Sequence, residues 1–331
     1  MITNTIGIEL GSEKVNIYVK NINKTISFKT IVAIDLLENK IIKVGEDANK
    51  ISEKEPNNII IKRPIQKGKI VDLELTIQMI KEVLTINKIK NKIINPNVLV
   101  AYDIDLNQVE KEVLIEAIRQ IGAKNIYMID SLKLAARGIG MDITKVEGNM
   151  IIDIGYQKTK IGILSLNNIV KYKCIDIGSN TFNNDIISYI RNNYKLLIGN
   201  KTSEEIKKNL NENNIFIEGK DVITGLPNNI NIKSNDIKLS INKSIDIIIE
   251  SIKEILNEIS PELINDISNK GIVVIGGGSN LSYLMEELEK NLNMPVLGVN
   301  NPDTCIIDGI KIVLNNNLKH LKKYNISSLI K

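Results

Sequence analysis

The sequence contains few of the side chains on which many active sites depend. Its 331 residues include two cysteines and one histidine. Cys174 and Cys305 are too few and too isolated for a disulfide framework or a zinc site, which is typical of a protein from a reducing compartment. His320 lies in a basic C-terminal segment without a candidate partner nearby. We therefore expect no histidine-based catalysis.

Long apolar runs are missing as well. No apolar stretch reaches the roughly 18 residues of a membrane-spanning helix, and the N-terminus lacks the basic-then-apolar pattern of a signal peptide. The net charge of +4 comes from scattered lysines rather than from an arginine-rich stripe with aromatic residues. Nucleic acid is therefore not an expected partner, and we expect a cytoplasmic protein.

The most informative stretch lies in the middle of the chain. The hydrophobic content of 43% and the length are enough for a sizeable core and about two domains. Residues 149–166 predict two short strands joined by a tight turn that contains Asp153 and Gly155. A carboxylate at the end of a strand can hold Mg²⁺ through water, while N–H groups of the turn face a phosphate. An ordinary hairpin would give the same pattern.

Two other stretches favour the phosphate interpretation. Residues 9–11 (Glu-Leu-Gly) begin a second acid-x-Gly hairpin of the same design near the N-terminus. Residues 276–278 are three glycines that follow an apolar strand, and a helix is predicted to start near Leu281. Together, the two hairpins and the glycine turn predict two similar half-molecules that clasp a nucleotide.

The remaining pattern predicts several helices. Asn107 and Glu110 are spaced as a capping box at the start of a helix that Gly122 ends. A helix of small residues is predicted after Asp130 and Ser131. Farther on, a polar region is expected to about Asn242, followed by an amphipathic helix over 245–259 whose apolar face packs in the core.

These segments resemble the MreB/Mbl family of bacterial actin homologues, which determine rod shape, over nearly the whole chain. The resemblance is carried by residues 6–11, 63–65, 68–72, 122–129, 165–170, 196–199, 202–207, 224–227, 261–278 and 301–305. It implies an α/β, actin-like fold in which two RNase H-like large subdomains flank a nucleotide cleft and each carries a small insert. The implied subdomains are IA (1–32, 66–146 and 312–331), IB (33–65), IIA (147–181 and 244–311) and IIB (182–243).

The resemblance also implies a ligand and a way of working. It implies ATP or ADP with Mg²⁺, polar filaments that pair in antiparallel fashion on the inner face of the cell membrane, and guidance of the cell-wall elongation machinery. Glu9 and Asp153 are the implied metal residues, acting through water. The implied nucleotide-binding residues are Glu9, Gly11, Ser12, Glu13, Lys14, Asp153, Gly155, Tyr156, Gln157, Lys158, Glu204, Lys207, Gly276, Gly277, Gly278 and Ser279.

The sequence departs from the family where hydrolysis would take place. The family's second phosphate loop has three successive glycines, but Tyr156 and Gln157 bring bulk to this loop. In the family, a glutamate positions the attacking water, and its place is taken by Ser131, which is not a carboxylate base. We therefore expect hydrolysis to be slow or lost. The alternative is that Asp130, one position away, or Lys158 restores it.

Other departures change the charge and the flexibility of the loops. Glu13 adds a negative charge beside the phosphate path, and Lys14 could offset it. The family's Gly-Gly-Asp after the second hairpin is Gly-Ser-Asn at residues 178–180, which removes an acid. By contrast, the three glycines at 276–278 are intact, so we expect nucleotide binding to persist.

One further stretch predicts membrane contact. Ile93 and Ile94 lie between lysines at the place of the family's membrane-touching loop. Exposed isoleucines can insert into a bilayer, and each lysine adds about 1 kcal/mol at an anionic surface. The alternative is that both isoleucines pack in the core. Such a loop binds weakly alone, so a filament with many copies would be needed.

Three functions follow as hypotheses. The first is a filament scaffold that binds nucleotide and turns it over slowly or not at all, alone or with an MreB-type paralogue. The second is a fully active MreB-type ATPase whose assembly is timed by hydrolysis. The third is a soluble actin-fold protein of another role, such as a pilus-assembly protein. The exposed face of the helix that starts after Asn107 is the family's position for pairing between protofilaments.

Overall fold

The computed structural model describes residues 4–52, 57–89 and 95–316. These residues form two compact units. The first contains the residues up to 142 together with those from 304 onward, and the second spans Ile143–Asp303. The predicted boundaries of four subdomains stay a prediction.

The first unit is built around a mixed sheet. Its strands are β1 (Thr5–Leu10), β2 (Lys14–Val19), β3 (Lys24–Lys29), β4 (Val32–Asp35), β5 (Lys40–Val44), β6 (Ile59–Lys62), β7 (Ile65–Gln66), β8 (Lys69–Ile70), β9 (Asn97–Tyr102) and β10 (Asn125–Asp130). Its helices are α1 (Glu46–Ser52), α2 (Leu73–Ile86), α3 (Gln108–Gln120), α4 (Ser131–Gly138) and α10 (Cys305–Asn315), the last helix described.

The order of the main sheet is β10-β9-β1-β2-β3. The strands β1, β9 and β10 run parallel to one another, whereas β1, β2 and β3 form an antiparallel meander. Runs of isoleucine and valine form these strands because branched side chains fit a pleated, buried surface. The carboxyl ends of β1, β9 and β10 therefore lie side by side, which is where α/β proteins commonly bind ligands.

The predicted helix start at Asn107 is confirmed. The Asn107 side chain accepts a hydrogen bond from the Glu110 N–H, and the Glu110 carboxylate accepts one from the Asn107 N–H, both at 2.9 Å. The helix ends as predicted before Gly122, which has a φ of +107°. The small-residue helix after Asp130 is also present as α4.

The second unit repeats this architecture. Its strands are β11 (Asn149–Ile154), β12 (Thr159–Ser165), β13 (Asn168–Ile175), β14 (Leu196–Leu197), β15 (Asn214–Asp221), β16 (Pro227–Lys233), β17 (Ile272–Ile275) and β18 (Val296–Gly298). Its helices are α5 (Ser179–Tyr194), α6 (Asn200–Lys208), α7 (Ser234–Asn257), α8 (Pro261–Lys270) and α9 (Ser282–Leu292).

The main sheet of the second unit has the order β13-β12-β11-β17-β18. This is the same arrangement as in the first unit: an antiparallel meander whose first strand is followed by two parallel neighbours. Each unit also carries a smaller three-stranded sheet, β5-β4-β6 in the first and β14-β15-β16 in the second. Two similar half-molecules were predicted from the hairpins, and the sheets confirm the likeness.

The region up to Asn242 differs from the expectation of a polar segment. It contains the strands β15 and β16, and α7 begins at Ser234 rather than near Ile245. Ile237 and Ile241 are fully buried and continue the apolar face of that helix toward its N-terminus. Most of the asparagines and lysines of the segment occupy exposed positions, and among them the spacing of four residues between these isoleucines is hard to see in the sequence.

Some predicted residues lie outside the described part of the chain. Ile93 and Ile94, which were predicted to contact the membrane, are among them, and so is His320. Of the helices that the structure describes, none combines the length and the apolar character needed to cross a bilayer.

Candidate functional site

The first hairpin joins β1 to β2 through residues 11–13. The N–H of Gly11 donates to the carbonyl of Lys14 at 3.0 Å, which closes the turn. A Cβ on Gly11 would lie 2.6 Å from that carbonyl oxygen, so the turn has no room for a side chain there. Glu9 lies opposite Asn16 in the strand register, and the Asn16 amide donates to Glu9 Oε2 at 3.0 Å.

The side chains of this turn are held by the rest of the first unit. Ser12 Oγ accepts a hydrogen bond from the N–H of Gly68 at 3.0 Å. The Glu13 carboxylate lies 2.9 Å from a guanidinium nitrogen of Arg63 and 3.7 Å from the ammonium of Lys29. The cations beside Glu13 are therefore Arg63 and Lys29, whereas Lys14 was the residue expected to offset its charge.

The expected catalytic position lies at the carboxyl end of β10. Asp130 is 4% exposed, and its Oδ1 caps α4 by accepting from the N–H groups of Leu132 and Lys133 at 2.9 and 3.4 Å. Ser131 Oγ donates to Oδ1 of Asp103 at 2.8 Å. Asp103 follows the neighbouring strand β9 and was not predicted, because it lies 28 residues from Ser131 in the sequence.

Asp103 also lines a small cavity of the first unit. The cavity wall includes Leu10, Gly68, Tyr102 and Glu110. Burial, and next the charge of Asp130, raise the pKa of the Tyr102 hydroxyl above its usual value. The carboxylate of Asp103 and the hydroxyl of Tyr102 therefore lie at the same end of the sheet as the first acid-x-Gly hairpin.

The second hairpin joins β11 to β12 with the same turn. The N–H of Gly155 donates to the carbonyl of Lys158 at 2.9 Å. Asp153 lies opposite Lys160 in the register, and Lys160 Nζ lies 2.8 Å from Asp153 Oδ2. Their side chains are 7% and 12% exposed, respectively. The carboxylate that was predicted to hold a metal therefore forms a buried ion pair with a lysine that the sequence reasoning did not single out.

The bulky residues of this turn fit its backbone. Tyr156 and Gln157 are not among the residues with positive φ, so their side chains cause no strain of that kind. The start of α5 supports the turn, because the N–H groups of Ser179 and Asn180 donate to the carbonyls of Gly155 and Tyr156 at 2.9 and 2.8 Å. Lys158 is 7% exposed.

A polar cluster joins α5 to α6. The Lys207 ammonium donates to the carbonyl of Ser179 at 3.0 Å and to Glu204 Oε1 at 2.9 Å. Burial lowers the pKa of Lys207, although the hydrogen bond and charge of Glu204 oppose this shift. Asn183 donates to the same Glu204 oxygen at 2.8 Å, and its own Oδ1 has no hydrogen-bond partner within the described ranges. Glu204 and Lys207 were predicted nucleotide-binding residues, whereas Asn183 was not predicted.

The glycine turn packs against the end of β11. Gly276 has a φ of +83°, and a Cβ there would lie 2.4 Å from Asp153 Oδ1. A Cβ on Gly278 would lie 2.4 Å from the Ile154 side chain. Ser279 Oγ donates to the carbonyl of Gly276 at 2.8 Å and closes a short 3-10 turn before α9. The helix predicted to start near Leu281 is confirmed, because α9 begins at Ser282. Gly277 has open space around it.

These contacts also test the predicted magnesium ion. Mg²⁺ prefers carboxylate oxygens and water in octahedral geometry. The described residues contain no cluster of three or more acidic, histidine or cysteine side chains that could hold a metal. Asp153 already pairs with the ammonium of Lys160 on one oxygen and faces the Gly276 backbone with the other. The ion pair and the close backbone do not favour the predicted role of Asp153 in holding Mg²⁺ through water, and the same role of Glu9 stays a prediction.

Two sheets of one strand order, each with an acid-x-Gly hairpin, define an actin-like protein. The fold is similar to the crystal structure of MreB5 of Spiroplasma citri bound to AMPPNP, with a TM-score of 0.92 and 28% identity over 98% of this chain and 99% of that chain. The ADP-bound structure of MreB5 gives 0.89 and 28% over 96% and 99%. The MamK double helical filament, at 0.76 and 18% over 95% and 99%, supports the fold alone.

The sequence comparisons define the family. The family model for MreB/Mbl protein matches residues 3–323. The cell shape-determining protein Mbl of Bacillus subtilis (strain 168) is 33% identical over 323 residues, which cover 96% of this chain and 97% of that protein. MreB of Escherichia coli (strain K12) is 31% identical over 324 residues, covering 93% and 92%. The chain belongs to the MreB/Mbl family of cell shape-determining, actin-like proteins.

Proposed function

We propose that this protein is a cytoskeletal filament protein that binds ATP or ADP. One observation carries the proposal: each unit holds an acid-x-Gly hairpin closed by the same glycine N–H to carbonyl hydrogen bond. Turns of this kind direct backbone N–H groups toward phosphate. The MreB5 structures contain AMPPNP and ADP, and MamK forms a double helical filament, which supports a nucleotide-binding, self-associating protein.

Hydrolysis by this protein is slow. Ser131 takes the place where the family resemblance implies a glutamate, and its hydroxyl donates to Asp103. A hydroxyl that donates to a carboxylate does not act as a base toward water. Loss of a general base costs about 10²–10⁴-fold in rate. The nucleotide then serves mainly as a structural ligand of the filament.

A fully active, hydrolysis-timed ATPase is the second candidate, and Asp103 is the observation that favours it. Its carboxylate lies next to Ser131 at the carboxyl end of the sheet. The carboxylate of Asp103 supplies the chemical group that position 131 lacks, although Asp103 follows β9 whereas residue 131 begins α4.

Phosphate release by three variants separates the two candidates. Ser131→Glu restores a carboxylate, and we expect it to raise the rate at least about tenfold, within the usual contribution of a general base. Ser131→Gln is the matched control of nearly equal size and is expected to have no such effect. A wild-type rate equal to that of active relatives, abolished in Asp103→Asn, would replace the slow-hydrolysis proposal with the active ATPase.

In this proposal the filament lies on the inner face of the cell membrane and guides the cell-wall elongation machinery. The lysines around Ile93 and Ile94 suit an anionic surface. We expect wild-type protein with nucleotide to sediment with anionic vesicles and the double variant Ile93→Ser, Ile94→Ser to stay in the supernatant. Polymer that forms only after an MreB-type paralogue is added would show that the filament is mixed. Absence of polymer in both cases would contradict the filament proposal.

A further inference from the structure

The ion pair between Lys160 and Asp153 is unlike a surface salt bridge. The two residues face each other across the β11–β12 hairpin at 2.8 Å, and both side chains are largely buried. Charges that leave water are stable in a protein only when they are paired with good geometry. Lys160 is therefore the counter-charge of Asp153 at this place.

The surroundings of Asp153 leave little access for a second cation. One carboxylate oxygen pairs with Lys160, and the other lies against the backbone of Gly276, where a single added Cβ would approach to 2.4 Å. Mg²⁺ needs near-ideal octahedral geometry and keeps several of its water ligands. A hydrated ion bound through this carboxylate would be repelled by the ammonium of Lys160 and would have to displace it.

The corresponding position in the first unit is different. Glu9 has the amide of Asn16 across the hairpin, and an amide brings no net charge. Both hairpins close their turns with an equivalent backbone hydrogen bond. The turn therefore does not require a cation opposite the acid, and Lys160 is a feature of the second hairpin alone. Lys160 places a positive charge two residues beyond a turn that ends at Lys158.

We propose that Lys160 takes the role of a divalent cation at this hairpin, so that adenine nucleotide binds this protein without a requirement for Mg²⁺. This inference rests on the proposed nucleotide binding. The fixed ammonium supplies positive charge near the phosphate-facing turn, where other nucleotide sites use a metal ion to neutralise phosphate. A lysine is a compact point charge on a flexible stem and commonly binds phosphate in this way.

The test is the dissociation constant of a fluorescent ADP, measured by titration of the full chain in excess Mg²⁺ and in EDTA. We expect the wild-type values to agree within about threefold, below the tenfold change that marks a substantial difference in binding. In Lys160→Gln we expect binding in EDTA to weaken by at least about tenfold and Mg²⁺ to restore much of it. Lys160→Arg keeps the charge and should keep binding independent of Mg²⁺.

Two controls make the result interpretable. Lys171→Gln removes a lysine of the adjacent strand β13 whose partner, Glu258, is exposed, and it should leave both dissociation constants unchanged. If Lys160→Gln does not fold, the neutral pair Asp153→Asn, Lys160→Gln replaces it. Wild-type binding that is lost in EDTA would overturn this inference alone. Absence of binding in both buffers would overturn the proposed nucleotide function together with it.

Discussion

The two acid-x-Gly hairpins have the same backbone and differ in the side chain opposite the acid. Gly11 and Gly155 close their turns with equivalent hydrogen bonds to the carbonyls of Lys14 and Lys158. Across the strands, however, Glu9 meets the amide of Asn16, while Asp153 meets the ammonium of Lys160. Turn length and register fix the backbone, so the cross-strand residue can change without changing the turn.

Burial explains why the second hairpin needs the cation. Glu9 is partly exposed, so water can stabilise its charge. Asp153 lies beneath the glycine turn at Gly276 and has a side chain only 7% exposed. A carboxylate in that environment is stable when a cation pairs with it. The two acids thus differ in solvent access, and the residue opposite each acid differs accordingly: an amide opposite Glu9 and a cation opposite Asp153.

The largest expected effect comes from breaking the second pair. Lys160→Met keeps most of the aliphatic chain and removes the charge, which leaves Asp153 buried and unpaired. We expect a loss of about 3–5 kcal/mol in the free energy of unfolding. Urea unfolding followed by circular dichroism measures it.

The matched change in the first hairpin is Asn16→Ala. It removes one hydrogen bond to a charged group, for which we expect a smaller loss of about 1.5–3 kcal/mol. Adding Asp153→Asn to Lys160→Met should recover much of the larger loss. Equal losses in the two single variants would show that burial does not distinguish the hairpins.

A second expected difference lies in the space at the turn glycines. A Cβ on Gly11 would lie 2.6 Å from a backbone oxygen, whereas on Gly155 the same approach is 3.1 Å. Gly11→Ala must shift the backbone, and we expect it to cost about 1–3 kcal/mol, as overpacking does. Gly155→Ala should cost less than about 1 kcal/mol, because a displacement of a few tenths of an ångström is enough. Thermal unfolding of both variants checks this order, and a larger loss for Gly155→Ala would contradict it.

Local patterns were sufficient for much of the fold. The acid-x-Gly turns, the capping box of Asn107 and Glu110, and the glycine turn at 276–278 are each specified by residues close in sequence, and each is present. The pairing of Asp153 with Lys160 could also have been found, because a hairpin with this turn places residues seven apart opposite each other.

Contacts that depend on the order of strands could not be derived in this way. Ser131 meets Asp103 because β9 and β10 are adjacent and parallel, and nothing in either segment specifies the other. Lys29 reaches Glu13 because the antiparallel pairing of β2 and β3 places Lys29 opposite Lys14, and Arg63 reaches it from 50 residues farther along the chain. The polar composition before α7 hid its buried isoleucines, since a regular spacing is hard to see among many asparagines and lysines.

The smallest expected effect concerns the helix that supports the second turn. Burial raises the pKa of Asp185 on α5 above its usual value, although the Ser244 hydroxyl, which donates to it at 2.5 Å, opposes the shift. The folded protein therefore holds this proton more tightly than the unfolded chain, and stability falls as pH rises from about 4 through the raised pKa. Asp185→Asn keeps the hydrogen-bond acceptor for Ser244 and removes the titration.

We expect the Asp185→Asn variant to be as stable as the wild type or slightly more stable at neutral pH, by no more than about 0.5 kcal/mol, with a flatter dependence on pH above about 4. Asp221 gives the opposite control. Hydrogen bonds from the N–H groups of Thr224 and Ile223 lower its pKa, so its contribution is present above the usual carboxyl pKa and is lost as pH falls through the lowered value. As pH rises, the urea midpoint of Asp185→Asn should increase relative to that of the wild type, and the midpoint of Asp221→Asn should decrease relative to it. Parallel shifts would mean that neither carboxylate is perturbed in the way that its surroundings require.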